Sequence, residues 1–109
     1  MKIAQVTDEF ILFDNGNKIT FGHDADCCEW NYADFQSLTE NDVNYGYEFK
    51  EELEFEAIED GGFRFGSDGV YIFIPCYSEQ NGYYSVDIDI YYNGEQVLNF
   101  DAELVGDDY

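Results

Sequence analysis

The chain has 109 residues, with 25 Asp and Glu against 4 Lys and Arg, for a formal net charge of −21. That surplus repels nucleic-acid phosphates and anionic lipid, which excludes direct DNA or RNA binding and a polybasic membrane anchor. Disorder is excluded as well: 45% of residues are hydrophobic and 19% aromatic, including 10 Phe and 10 Tyr, enough apolar bulk for a core.

One domain spanning residues 1–109 is expected. The run Met1 to Glu9 has no apolar h-region, and no stretch approaches the roughly 18 apolar residues of a membrane span. Cys27, Cys28 and Cys76 make an odd set, and adjacent Cys27 and Cys28 cannot pair with each other without strain, so a disulfide framework is not expected. A cytoplasmic, reducing location follows as the expectation.

Asp8 and Glu9 read as a fraying start. The first hairpin runs Glu9–Asp14, turns at Asn15-Gly16 and returns over Lys18–His23. A two-residue type I′ turn would oppose Leu12 to Ile19, Phe10 to Phe21 and Asp8 to His23. The stretch Glu29–Leu38 reads either as strand or as one or two helical turns. Glu48–Ile58 alternates, with Phe49, Leu53, Phe55 and Ala57 on one face and Glu52, Glu54 and Glu56 on the other. Phe63–Phe65 is a short strand. Val70–Tyr77 is apolar on both faces and reads as an inner strand, with Pro75 marking an end or edge. In the last hairpin a three-residue loop at Asn93-Gly94-Glu95 pairs Ile90 with Leu98, Ile88 with Phe100 and Val86 with Ala102. Asp87 and Asp101 then oppose each other on the solvent side, which is destabilising unless function or a cation favours it. The tail Asp107-Asp108-Tyr109 frays. The whole reads as mainly β: one twisted antiparallel sheet of about six or seven strands, rolled or sandwich-like, with at most one short helix.

The heptad His23-Asp24-Ala25-Asp26-Cys27-Cys28-Glu29, after the Ile-Thr-Phe-Gly strand, resembles a signature of small phage and bacterial proteins without an assigned activity. The resemblance implies a strand after the motif and a phage or mobile-element origin. As a zinc site His23, Cys27, Cys28 and Cys76 are poorly spaced, because adjacent strand cysteines point to opposite faces. Buried cysteines, with His23 bonded to Asp8 or Asp24, fit better. Asp24/Asp26 and Asp87/Asp89 lack the Gly and Glu positions of a calcium loop. No metal or cofactor is expected. With one His, no nucleophile elbow and no phosphate loop, neither is an enzyme. A small hydrolase using a carboxylate pair would need a deep pocket.

What stands out is the acidity. Alternate side chains along a strand lie about 6.6–7 Å apart, so Glu52, Glu54 and Glu56 would mimic consecutive phosphates. Solubility asks for a net charge of only about 2–8 in magnitude, and a larger excess weakens the fold by self-repulsion. The composition resembles the acidic DNA-mimic proteins of phages. The expected function is therefore an acidic inhibitor of a basic nucleic-acid-binding protein, with a CRISPR effector nuclease as target. Partner-binding candidates are Glu48, Glu51, Glu52, Glu54, Glu56, Asp87, Asp89, Asp101 and Glu103, with Tyr45, Tyr47, Tyr83 and Tyr84 as anchors that stack on arginine. Charge repulsion favours a monomer. The alternative is a cytoplasmic domain whose His23–Glu29 motif is structural or metal-binding, the acidity being incidental.

Overall fold

The computed structural model describes residues 1–22, 30–59, 61–79 and 86–105. The first strands are β1 (Ile3–Val6), β2 (Phe10–Phe13) and β3 (Lys18–Gly22). Asp8 and Glu9 do not fray. They form a tight turn in which the Thr7 hydroxyl accepts hydrogen bonds from the backbone of Glu9 (3.1 Å) and Phe10 (3.2 Å). β1 was not anticipated.

The β2–β3 register differs from the expected one by a single residue. Ile11 opposes Ile19, and Phe10 opposes Thr20. The loop holds Asp14, Asn15 and Gly16, closed by Gly16 N–H donating to the Phe13 carbonyl at 3.0 Å, with Gly16 at φ 92°. A one-residue slip exchanges the faces. Ile11, Phe13 and Ile19 are therefore the fully buried side chains, and Phe10 and Leu12 turn to the outer face, half-buried.

β4 (Trp30–Ala33) is followed by a single 3-10 turn, Phe35–Ser37, so the ambiguous segment contains both a strand and a turn. β5 (Glu54–Ile58), β6 (Gly62–Ser67) and β7 (Val70–Glu79) form successive antiparallel hairpins. The expected long strand Glu48–Ile58 shortens to β5. Its earlier portion is irregular and drops the Phe49 ring into the core.

β8 (Asp87–Tyr92) and β9 (Glu95–Asp101) pair as the alternation predicts, Ile90 with Leu98 and Ile88 with Phe100. The loop, however, has two residues. Asn93 (φ 53°) and Gly94 (φ 82°) make a left-handed turn, and the extra residue is a bulge at Val97, between the Leu98 and Gln96 pairings. At Ala102 the chain leaves this sheet, and β10 (Glu103–Val105) runs parallel to the end of β7.

These ten strands form two sheets rather than the single sheet expected. One is antiparallel, in the order β1-β2-β3-β8-β9. The other runs β10-β7-β6-β5, with β4 also on β7, and is antiparallel except for β10. β7 is long enough to serve two sets of partners, β6 over its first part and β4 and β10 over its last. Pro75 sits at that handover. Asp34 N–H donates to the Pro75 carbonyl at 2.8 Å, but proline has no N–H to return, and the β4 ladder stops there.

Between the sheets lie Ile11, Phe13, Ile19, Ile88 and Ile90 from one side and Phe63, Phe65, Ile72, Ile74 and Cys76 from the other, all buried. Phe13 meets Phe65 edge-on at 6.2 Å and Phe49 at 6.4 Å, so aromatic bulk spans the gap. Two buried polar side chains, Asn31 on β4 and Ser78 on β7, bond to one another, and Asn31 also donates to the Asp87 carbonyl at 2.9 Å. That last bond ties the second sheet to the start of β8.

Candidate partner-binding surface

The nine predicted carboxylates do not form one continuous row. Glu54 and Glu56 stand exposed on the outer face of β5, as the alternation requires, but Glu52 lies in the bend before the strand. The strand-spaced run is thus two residues long. Glu54 accepts a hydrogen bond from the Tyr71 hydroxyl at 2.8 Å, and Glu56 pairs with Arg64 at 3.0 Å. Glu48, Glu51 and Glu52 instead gather around a shallow hollow with Met1, Phe49 and the exposed ion pair Lys50–Asp68 (3.1 Å).

Asp87, Asp89 and Asp101 share the outer face of the other sheet, and Asp87 does oppose Asp101. Asn99 moderates this group by donating its amide to Asp89 at 2.7 Å and, more weakly, to Asp87 at 3.5 Å. The candidate Glu103 belongs instead to β10 in the second sheet. It meets Asp101 only around a hollow at the corner, shared with Glu59 and Ala102.

The expected aromatic anchors are placed differently. Tyr45 and Tyr47 pack against the core, with the Tyr47 ring 4.8 Å from Phe49. Tyr83 and Tyr84 lie outside the described residues, as does the whole heptad His23, Asp24, Ala25, Asp26, Cys27, Cys28 and Glu29. Among the described residues no group of three or more His, Cys, Asp or Glu is placed to hold a metal ion. Cys76 is buried as a free thiol, and burial pushes its pKa up to about 12, which suits a small core residue rather than a nucleophile.

Two features escaped the sequence reading. One is a cleft of about 380 Å³ at the edge of β4, lined by the acidic residues Asp8, Glu9 and Asp34 and by Phe21, Tyr32 and Phe35. Burial first, and then the charge of Glu79, raise the Tyr32 pKa, so its hydroxyl stays protonated. The other is the outer side of β7, where Tyr71, Phe73 and Tyr77 alternate with core residues.

Acidic charge is in large excess over the chain as a whole. Four Lys and Arg can neutralise at most four of 25 acids, and two of the four are already committed to Asp68 and Glu56.

The chain belongs to the DUF7448 family. This domain of unknown function matches residues 1–90. No curated protein and no solved structure matches the chain. The DUF7448 match takes in β1 to β7 and most of β8, and so includes Glu48, Glu51, Glu52, Glu54, Glu56, Asp87 and Asp89, whereas Asp101 and Glu103 lie beyond it. Among the described residues no helix is long and apolar enough to cross a membrane.

Proposed function

We propose that this DUF7448 protein is an acidic inhibitor that binds a basic nucleic-acid-binding protein and competes with DNA or RNA for its groove. It acts by binding, not by catalysis. One observation carries the reading: the chain has 25 Asp and Glu against four Lys and Arg, and a well-packed two-sheet domain presents Glu54 and Glu56 on the outer face of one sheet and Asp87, Asp89 and Asp101 on that of the other. Such a field steers association with a cationic groove and makes it fast and salt-sensitive. The target class we favour is a CRISPR effector nuclease, whose channel is lined with cations and whose PAM-reading arginines suit carboxylate ligands. That target places the protein in the cytoplasm of a host cell, as a monomer of phage or mobile-element origin.

The test is inhibition of such a nuclease across a salt series, with a Glu52→Gln/Glu54→Gln/Glu56→Gln variant alongside wild type. The reading predicts weaker inhibition as salt rises and a further loss in the variant. Inhibition that holds at high salt, or in the folded triple variant, overturns it.

A further inference from the structure

β7 is the central strand of its sheet, yet among the described residues only one of its faces is covered by the core. Ile72, Ile74, Cys76 and Ser78 point into the core and are buried. Tyr71, Phe73 and Tyr77 point outward, and Phe73 remains 48% exposed. The neighbouring strand gives these rings room. On its outer side β6 places Gly62, Arg64 and Gly66, opposite Pro75, Phe73 and Tyr71. The Phe73 ring leans over Gly62, where a Cβ would come within 2.6 Å of its Cζ. The Tyr71 hydroxyl reaches across Gly66 to Glu54. At the other edge Tyr32 lies 5.8 Å from Tyr77 and extends the aromatic stripe to the cleft.

This face already holds one arginine. The Arg64 guanidinium stacks 4.3 Å from the Tyr71 ring centroid while pairing with Glu56 at 3.0 Å. Ring on one side and carboxylate on the other is the environment a guanidinium prefers, and an ammonium uses it less well. Glu54, Glu56 and Glu79 border the stripe, so its occupant is cationic. A second copy of the chain, itself at −21, is repelled.

We infer that the outer face of β7, centred on Phe73 and Tyr77, is the docking stripe for arginine side chains of the basic partner. This rests on the acidic-inhibitor reading and adds the side-chain chemistry that the partner must present. Carboxylates alone would accept lysine equally; the rings make the surface selective for arginine.

The experiment titrates the full chain with nona-arginine and nona-lysine peptides by calorimetry at low salt, using wild type, Phe73→Leu and Tyr77→Ala. Phe73→Leu keeps apolar cover over Gly62 while removing the ring, and thermal melts confirm that each variant is folded. Wild type is expected to prefer the arginine peptide by about fivefold or more, and each variant to lose most of that preference with lysine binding unchanged. Equal, salt-sensitive binding of both peptides by wild type overturns the stripe and leaves the acidic-inhibitor reading standing. Binding of neither peptide overturns both. A preference that survives in the variants, or a wild-type dimer that Phe73→Leu dissociates, overturns the stripe.

Discussion

Replacing Asp101 by Asn should stabilise the protein, and by an amount that salt removes. Ala102 N–H donates to the Val86 carbonyl at 2.8 Å, so that pair is hydrogen-bonded. Antiparallel pairs alternate, which makes Asp87 and Asp101 a non-hydrogen-bonded pair, the kind with closer side chains, their Cβ atoms about 4.5–5.5 Å apart. The Asn99 amide is directed to Asp89 and Asp87. Two carboxylates about 5 Å apart in water repel by roughly 0.8 kcal/mol, within the range of about 0.2–1 kcal/mol for cross-strand pairs. Asp101→Asn should therefore raise the unfolding free energy by about 0.5–1 kcal/mol at 10 mM salt. At 1 M the screening length falls to about 3 Å, shorter than the separation, and the gain should nearly vanish. Urea denaturation at the two salt concentrations measures both values, with the slope m as the check on two-state behaviour. A destabilised variant, or one equally stabilised at both salts, would refute the claim that these acids are held against their own repulsion.

Other consequences follow from the core and the close contacts. Phe65 is fully buried among Phe13, Phe49 and Phe63, so Phe65→Ala should cost about 3–5 kcal/mol in a denaturation series. A Cβ at Gly66 would fall 1.9 Å from the Val70 carbonyl oxygen, so Gly66→Ala should lose about 3 kcal/mol or fail to fold, as circular dichroism would show. Cys76, raised to about 12, should resist maleimide at pH 8 in the native protein and label in urea, as mapped by peptide mass spectrometry. Burial raises the pKa of Tyr92, against the donation from Asn17, and that of Tyr32. Native tyrosines thus hold their protons longer than unfolded ones. The stability they confer is complete below pH 10 and falls as pH rises through their elevated values; a thermal melt series from pH 9 to 12 that stays flat contradicts this.

Where polar and apolar residues alternate cleanly, the pairing was legible. In Asp87-Ile88-Asp89-Ile90 against Leu98-Asn99-Phe100-Asp101 a one-residue slip would mix the faces, and with a short loop the alternation leads to the pairing that the structure has. Loop length was harder, because an extra residue satisfies the pattern equally in the turn or as the Val97 bulge. Phe10 to Phe13 is apolar at every position, so either face could be buried and local pattern could not choose the register. β4 pairs with a strand more than forty residues later, and β10 pairs in parallel with β7; no local signal encodes such contacts. Apolar content on both sides of β7 was read as burial on both sides, and the outward rings of Tyr71, Phe73 and Tyr77 were missed for that reason. The acidic residues were found by type, but their grouping depends on which sheet each strand joins, as the separation of Glu103 from Asp87 shows.

The most direct test of the central claim is capture of purified CRISPR effector nucleases and other basic nucleic-acid-binding proteins by the immobilised chain, at low and high salt and with competing DNA. The account predicts that one of them is retained at low salt and released both by high salt and by DNA. Retention that neither salt nor DNA disturbs, or no retention of any basic protein, would contradict it.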